Sequence, residues 1–250
     1  MTSFSFEVPI PHLEDFDDLQ DFVFALSFLG KDERYMKWLQ KHAEAGLKTI
    51  WLDNSFNELG EADSSYELAK VGRNIQATCL ISPDDPGWST SQIASAFRNM
   101  TRWWEKDRLV AVVKNVAMYN HMRSEGAKHF AISYHVRRNC SLSKLRWVKG
   151  KNIHFLGLIE DIPRSIKELT TLKPPSCDTS RPIKLALQGI SMKQPNCQVS
   201  YHPPGKDKLT YFYTEMTTAQ IDLARANITY LKEVTNEQMG RSEKKRQSSL

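Results

Sequence analysis

Short apolar runs recur along the chain, each followed by a stretch whose apolar residues fall at helical spacing. The runs are FVFALSFL from Phe22, KTIWLD (Lys48 to Asp53), ATCLIS (Ala77 to Ser82), LVAVVK (Leu109 to Lys114), HFAISY (His129 to Tyr134) and IHFLGL (Ile153 to Leu158). They are short and rich in β-branched or aromatic residues, as strands buried on both faces should be. Between them lie segments such as DERYMKWLQKHAEAG and SQIASAFRNMTRWWEK, which read as amphipathic helices. Gly46, Gly72 and Gly126 sit where helix C-caps would end such segments.

Strands alternating with helices predict parallel βαβ units. Six units are clear, and a seventh strand is expected to end at SCD, Ser176 to Asp178. The predicted fold class is therefore α/β, a (β/α)8-type TIM barrel near its minimum size with an irregular last unit. A doubly wound open sheet is the alternative. No glycine-rich phosphate fingerprint follows any run, which argues against a nucleotide-binding Rossmann domain. Residues 190–210 carry three prolines and read as an irregular excursion. A C-terminal helix is expected over about 217–234, with Ile221, Ala224, Ile228 and Leu231 on one stripe. Residues 1–239 then form a single barrel domain, and 240–250 a basic, disordered tail.

Composition changes this picture little. Hydrophobic residues make up 40% and charged residues 25% of 250, so the chain belongs with ordinary globular proteins. No apolar stretch is long enough for a membrane span, and the acidic N-terminus lacks a signal peptide's apolar region. A cytoplasmic location without membrane contact is expected, the host cytoplasm if a phage encodes the protein. Cys79, Cys140, Cys177 and Cys197 are scattered, without the close pairs of a disulfide framework or a zinc site, so reduced thiols are expected. His121, His129 and His154 lack partners at metal-ligand spacing, so neither metal nor cofactor is expected. A net charge of +5 admits a polyanionic partner without identifying one.

In a parallel α/β fold the chemistry collects just past the C-terminal ends of strands. Those positions hold Asp53-Asn54-Ser55, Ser82-Pro83-Asp84-Asp85, Lys114-Asn115, Ser133-Tyr134-His135, Glu160-Asp161 and Cys177-Asp178-Thr179-Ser180. Carboxylates dominate, which suits metal binding or acid/base and nucleophilic work on a sugar or base. Helix N-capping is the competing explanation for Asp84, Asp85 and Asp161. It is weaker for Asp53 and Asp178, where an apolar run leads directly into the acid.

The segment LDNSFNELGEAD (Leu52 to Asp63) resembles the LDNGAFELGE-type motif of the tRNA-guanine transglycosylase superfamily, particularly its short phage-type DNA-modifying members. ISPDDPG, IHFLGLIEDIP and SCDTSRPIKLALQG resemble later family segments in the same order, between about Phe22 and Gly189. The resemblance implies base exchange. Asp178 would attack the anomeric carbon of a guanosine and form a covalent glycosyl-enzyme intermediate. Asp53 would be the general acid/base for the purine nitrogens. Asp84, or else Asp85, would accept hydrogen bonds from the guanine-like donors. Asn54, Ser55, Lys114, Ser133, Tyr134, Leu156 and Gly157 would line the pocket.

The chain departs from the family in places. Asn54-Ser55-Phe56-Asn57 stands for Asn-Gly-Ala-Phe, and Lys114 stands where a base-reading glutamine is usual, so it contacts phosphate or the exchanged base differs. The zinc subdomain of tRNA-acting members is missing, which points to DNA, with tRNA or a non-catalytic nucleic-acid-binding barrel as alternatives. The entering partner would be a free 7-deazaguanine base such as 7-cyano-7-deazaguanine, and a homodimer or partner subunit stays open. Candidate phosphate contacts are Arg137, Arg138, Lys144, Arg146, Lys149, Lys151 and Arg181. Trp103 and Trp104 are expected to pack in the barrel rather than to stack on bases.

Overall fold

The computed structural model describes the chain except residues 47, 56–58, 62, 86, 200–207 and 248–250; for 208 and 237–247 it describes backbone alone. Eight strands alternate with helices among the described residues: β1 (Ser3–Phe6), β2 (Val23–Leu26), α1 (Glu33–Glu44), β3 (Ile50–Asp53), α2 (Ser65–Asn74), β4 (Cys79–Ile81), α3 (Thr90–Met100) and β5 (Leu109–Val112). The series continues with α4 (Val116–Ser124), β6 (His129–Ser133), α5 (Tyr134–Asn139), β7 (Ile153–Leu156), α6 (Ile162–Leu172), β8 (Ser176–Thr179), α7 (Arg181–Leu187) and α8 (Thr218–Gln247). The hydrogen-bonded strand order is β1-β8-β7-β6-β5-β4-β3-β2, and the described registers are parallel. This order is that of the (β/α)8 class, not of a doubly wound sheet.

The runs predicted as strands are β2 to β8. The strand that was not predicted comes first. Ser3–Phe6 alternates serine with phenylalanine, so it gives no continuous apolar run, although Phe4, Ser5 and Phe6 are all buried. It aligns Ser5 with Asp178 and Phe6 with Thr179.

The chain divides into two compact units. One comprises Asp21–Val136 and Asn152–His154. Its core is aliphatic, with Leu52, Leu80, Val110, Ala111 and Ile132 fully buried. His154 is buried there among Phe22, Phe24 and Trp51, at centroid distances of 5.8, 5.7 and 5.0 Å. Each helix starts on a side-chain cap: Asp32, Ser64, Ser89 and Asn115 accept backbone N–H groups, and Ser89 forms a full capping box with Gln92. Gly46 and Gly126 follow α1 and α4 with φ of +60 and +88, as C-cap glycines should. Gly72 is different: it lies inside α2, where a Cβ would stand 2.9 Å from Leu80 Cδ1. Close helix–strand packing, not a turn, requires the glycine. Trp104 packs with the Arg108 guanidinium 5.1 Å over its ring, whereas Trp103 is 39% exposed and meets Tyr66 edge-on.

The other unit comprises Met1–Gln20, Arg137–Lys151 and Phe155–Leu250. Helix α8 buries Ala224, Ile228 and Leu231, roughly 1.5–3 kcal/mol for each larger aliphatic chain. Ile221, expected on the same stripe, is partly exposed. Buried Asn227 accepts the Met192 N–H at 2.8 Å and donates to the Pro182 and Ile190 carbonyls, so the chain just after α7 is held at Ile190 and Met192. Arg225 forms a two-pronged pair with Asp18, and Lys232 donates to the Leu19 carbonyl. The helix runs on to Gln247, well past the expected end at 234 and into the segment expected to be disordered. Glu, Gln, Lys and Arg dominate that segment and are good helix formers, so a basic composition did not preclude helix. The segment SKLRWVKGKN forms turns and a single 3-10 turn, Arg146–Val148. No described helix is long and apolar enough to cross a membrane, and all four cysteines are free.

Candidate functional site

In the unit holding both termini, Asp178 occupies the C-terminal half of β8 and is 2% exposed. The Gly157 N–H, in the loop after β7, lies 3.2 Å from each of its carboxylate oxygens. Gly157 has a φ of +69, a conformation that a side-chain-bearing residue rarely adopts. Glu7, directly after β1, extends the ladder by donating its N–H to the Thr179 carbonyl at 3.2 Å. Its carboxyl forms a side-chain hydrogen bond with that of Asp178. The Tyr211 hydroxyl fixes the same residue by donating to the Glu7 carbonyl at 2.6 Å.

Burial pushes Asp178 up to about 6, while the hydrogen bonds from Glu7 and Gly157 oppose the rise. Glu7 goes up to about 7, through burial and then the adjacent Asp178 charge, with Lys184 and Arg181 pulling it back. The pair therefore holds a proton to higher pH than an isolated carboxyl would. Two adjacent carboxyls resist holding two charges, so they titrate as a pair. Sequence reasoning missed Glu7, because its strand was missed.

Arg137 supports this loop from below. It is fully buried, with Nη1 3.2 Å from Glu168 Oε2, Nη2 donating to the Leu156 and Gly157 carbonyls, and its guanidinium 4.4 Å over the Phe155 ring. The expected phosphate contact is thus corrected. A charge enclosed by its own carboxylate, carbonyls and ring cannot reach a polyanion. Arg181 is also engaged, donating to the Leu158 carbonyl at 3.0 Å and pairing with Glu160 at 3.5 Å. Lys151 donates to the Trp147 carbonyl. Arg138, Lys144, Arg146 and Lys149 are exposed, with Arg138 3.7 Å from Glu160. Asp161 caps α6 by accepting the Arg164 N–H at 2.9 Å. Leu156 and Gly157 are partly exposed.

In the other unit Asp53 ends β3 and accepts the Ser55 N–H at 2.9 Å. Ser55 is buried with φ +57, at the position where the resembled motif has glycine. The serine meets that conformation with a hydroxyl that bonds Ser27 Oγ at 2.9 Å and accepts the Phe28 N–H at 3.2 Å. Ser27 in turn donates to Asp63. Asn54, buried, donates to the Ser82 carbonyl and to Asp84 Oδ1, each at 3.2 Å. Burial raises Asp84 to about 6 against the pull of Asn54 and Lys114. The Ser82 hydroxyl is buried with no hydrogen-bond partner among the described residues.

Lys114 donates to the Asp85 carbonyl at 2.8 Å and the Trp88 carbonyl at 2.7 Å, and burial lowers its pKa. It ties down the loop after β4, which occupies the ammonium expected to contact phosphate and leaves the alternative, a different exchanged base, untouched. Asp85 Oδ1 accepts the Gly87 N–H at 2.6 Å, so its carboxylate closes its own turn. Neither Asp84 nor Asp85 caps α3, since Ser89 does. Ser133 and Tyr134, at the β6–α5 junction, are partly exposed. A pocket of about 880 Å³ is lined by Asp63, Asp85, Trp88, Gln92, Arg98 and Arg102 among others. Phe56 and Asn57 lie outside the described residues. Ser27 gave no sequence signal, being a hydroxyl after a strand, and Asp63, at the end of the quoted motif between β3 and α2, was not singled out.

No protein-family profile and no curated protein matches the chain. Solved structures do. KGPDC from Streptococcus mutans is 11% identical, covering 94% of this chain and 99% of its own, with a TM-score of 0.53. The chain has the TIM-barrel fold. N-(5′-phosphoribosyl)anthranilate isomerase from Pyrococcus furiosus is 9% identical, covering 93% of this chain and 100% of its own, with a TM-score of 0.49. At such identities the likeness speaks to the barrel alone.

Proposed function

We propose that the chain is an enzyme, a guanine transglycosylase that replaces guanine in DNA with a 7-deazaguanine base through a covalent aspartyl-glycosyl intermediate. The observation that carries the reading is Asp178: a buried carboxyl at a strand's C-terminal end, gripped by the Gly157 N–H and a neighbouring acid. A carboxylate suits attack on an oxocarbenium-like anomeric carbon. Asp53, in this reading, exchanges the proton on the purine nitrogens. Asp84, Asn54 and the unpartnered Ser82 hydroxyl supply acceptors and a donor of the kind a purine edge requires. The exposed Arg138, Lys144, Arg146 and Lys149 are available to phosphates. Duplex DNA would present its guanine flipped from the stack, at a cost of a few kcal/mol.

The deciding experiment incubates purified protein and 7-cyano-7-deazaguanine with DNA and with tRNA separately, followed by nucleoside mass spectrometry. The expected product is a 7-deaza-deoxyguanosine in DNA, reduced ~10³-fold or more by Asp178→Asn. Product confined to tRNA would move the substrate and keep the chemistry. Binding of DNA that is indifferent to Asp178→Asn, with no modified nucleoside in either pool, would leave a non-catalytic binding barrel instead.

A further inference from the structure

We propose that Glu7 is a positioning residue for Asp178: the two carboxyls share one proton, which Glu7 carries and donates, so that Asp178 is held in place and stays ionised for attack. The chemistry rests on the transglycosylase reading, but the proton sharing does not.

The geometry comes from three elements. The β1–β8 register sets Ser5 beside Asp178 and carries Glu7 to the Thr179 carbonyl. Tyr211 anchors the Glu7 backbone from the far side. Gly157 meets both Asp178 oxygens, and the Glu7 carboxyl hydrogen-bonds the same carboxylate. The cations nearby are largely occupied. Arg137 of α5 faces Glu168 of α6, Arg181 of α7 faces Glu160, and Lys184 of α7 sits 4.4 Å over the Tyr211 ring. Cys177 of β8 is pushed up by burial and then by Asp178, so it remains a thiol. Arg137 still pulls on Asp178, but the nearest partner this site supplies to its carboxylate is a second carboxyl.

In the proposed reaction a lone pair of Asp178 forms the bond to the anomeric carbon. The carbon–nitrogen bond breaks, and its electron pair leaves on the purine, which takes its proton from Asp53. The Glu7 proton does not transfer. It hydrogen-bonds first the carboxylate and then the uncharged ester, and the second half-reaction reverses the sequence. The competent form needs Asp178 ionised and Glu7 protonated, so activity falls both where the pair gains a second proton and where it loses its last one. At the alkaline end, ionising Glu7 replaces a hydrogen bond with like-charge repulsion.

The test is a carboxyl ¹³C NMR titration of the full chain, its Glu7→Gln variant and its Asp178→Asn variant. In the unmodified chain both resonances should report both steps. Asp178→Asn should return Glu7 toward an ordinary carboxyl, and Glu7→Gln, which keeps a neutral donor beside Asp178, should remove the upper step and leave a single Asp178 step. Carboxyls that each titrate in one independent step, indifferent to the other's replacement, would overturn the proposal. Should a variant fail to fold, the titration of the unmodified chain alone distinguishes coupled from independent carboxyls. In the exchange assay, activity should fall roughly tenfold by pH 8, and Glu7→Gln should abolish that alkaline limb. Coupled carboxyls without exchange on either nucleic acid would keep the dyad and end the transglycosylase reading. Exchange with independent titrations would do the reverse.

Discussion

Asp178 and Asp84 both end up near 6, and burial is the first cause for each. What opposes burial differs. Asp84 faces the Asn54 amide and the Lys114 ammonium, whereas Asp178 faces the Gly157 N–H and a protonated acid. Asp84 is steadied by an amide and then a cation, and Asp178 first by hydrogen-bond donors, one of them a carboxyl, with Arg137 adding a smaller pull. The distinction matters because a cation stays charged across the useful pH range and a carboxyl proton does not. Asp84 is suited to fixed recognition, and Asp178 to a role that depends on its protonation state.

The contrast can be broken most forcefully at Arg137, the cation on the Asp178 side that serves structure. Arg137→Ala leaves the buried Glu168 with Arg164 as its remaining cation and frees the Leu156 and Gly157 carbonyls. A loss of about 3 kcal/mol is expected in thermal or denaturant unfolding. An unchanged midpoint with a weaker salt dependence of DNA binding would instead return Arg137 to the phosphate-contact role.

A smaller effect of opposite sign is expected at Asp178 itself. A carboxyl raised from 3.8 to about 6 ionises less readily in the folded than in the unfolded chain. Its contribution is therefore most favourable below about 4, and stability is lost as pH rises through that interval. Glu7 extends the same trend to about 7. Asp178→Asn should gain roughly 1–3 kcal/mol at pH 8 and almost nothing at pH 4, read as a pH-dependent difference in melting temperature. Equal gains at both pH values would mean that charge is not the cause.

The finest comparison is a pair of titrations. Removing the cation with Lys114→Met should raise the Asp84 pKa by up to ~1 unit, whereas Glu7→Gln, which keeps a neutral donor beside Asp178, should move that of Asp178 little. A rise at Asp178 as large as that at Asp84 would erase the distinction between the two acids.

The strands β2 to β8 were legible because each is an apolar run bounded by helical spacing, and that signal is local. The acids Asp53 and Asp178 were legible for the same reason, as carboxylates that terminate such runs. β1 was not, because half its side chains are serines, and the burial of Ser5 depends on β8, more than 170 positions away. Gly72 read as a cap because a glycine's local freedom is visible in sequence, while a 2.9 Å approach to Leu80 is not. Arg137 and Lys114 read as phosphate contacts because a sequence shows a charge but not its neighbour.

By itself, then, the sequence determined the parallel α/β class and the candidate acids at strand ends, through patterns that span one element at a time. The tertiary structure decided which charges face solvent, which are enclosed, and that Glu7 meets Asp178. Periodicity is a property of neighbouring residues, whereas protonation and burial depend on groups brought together across the whole chain.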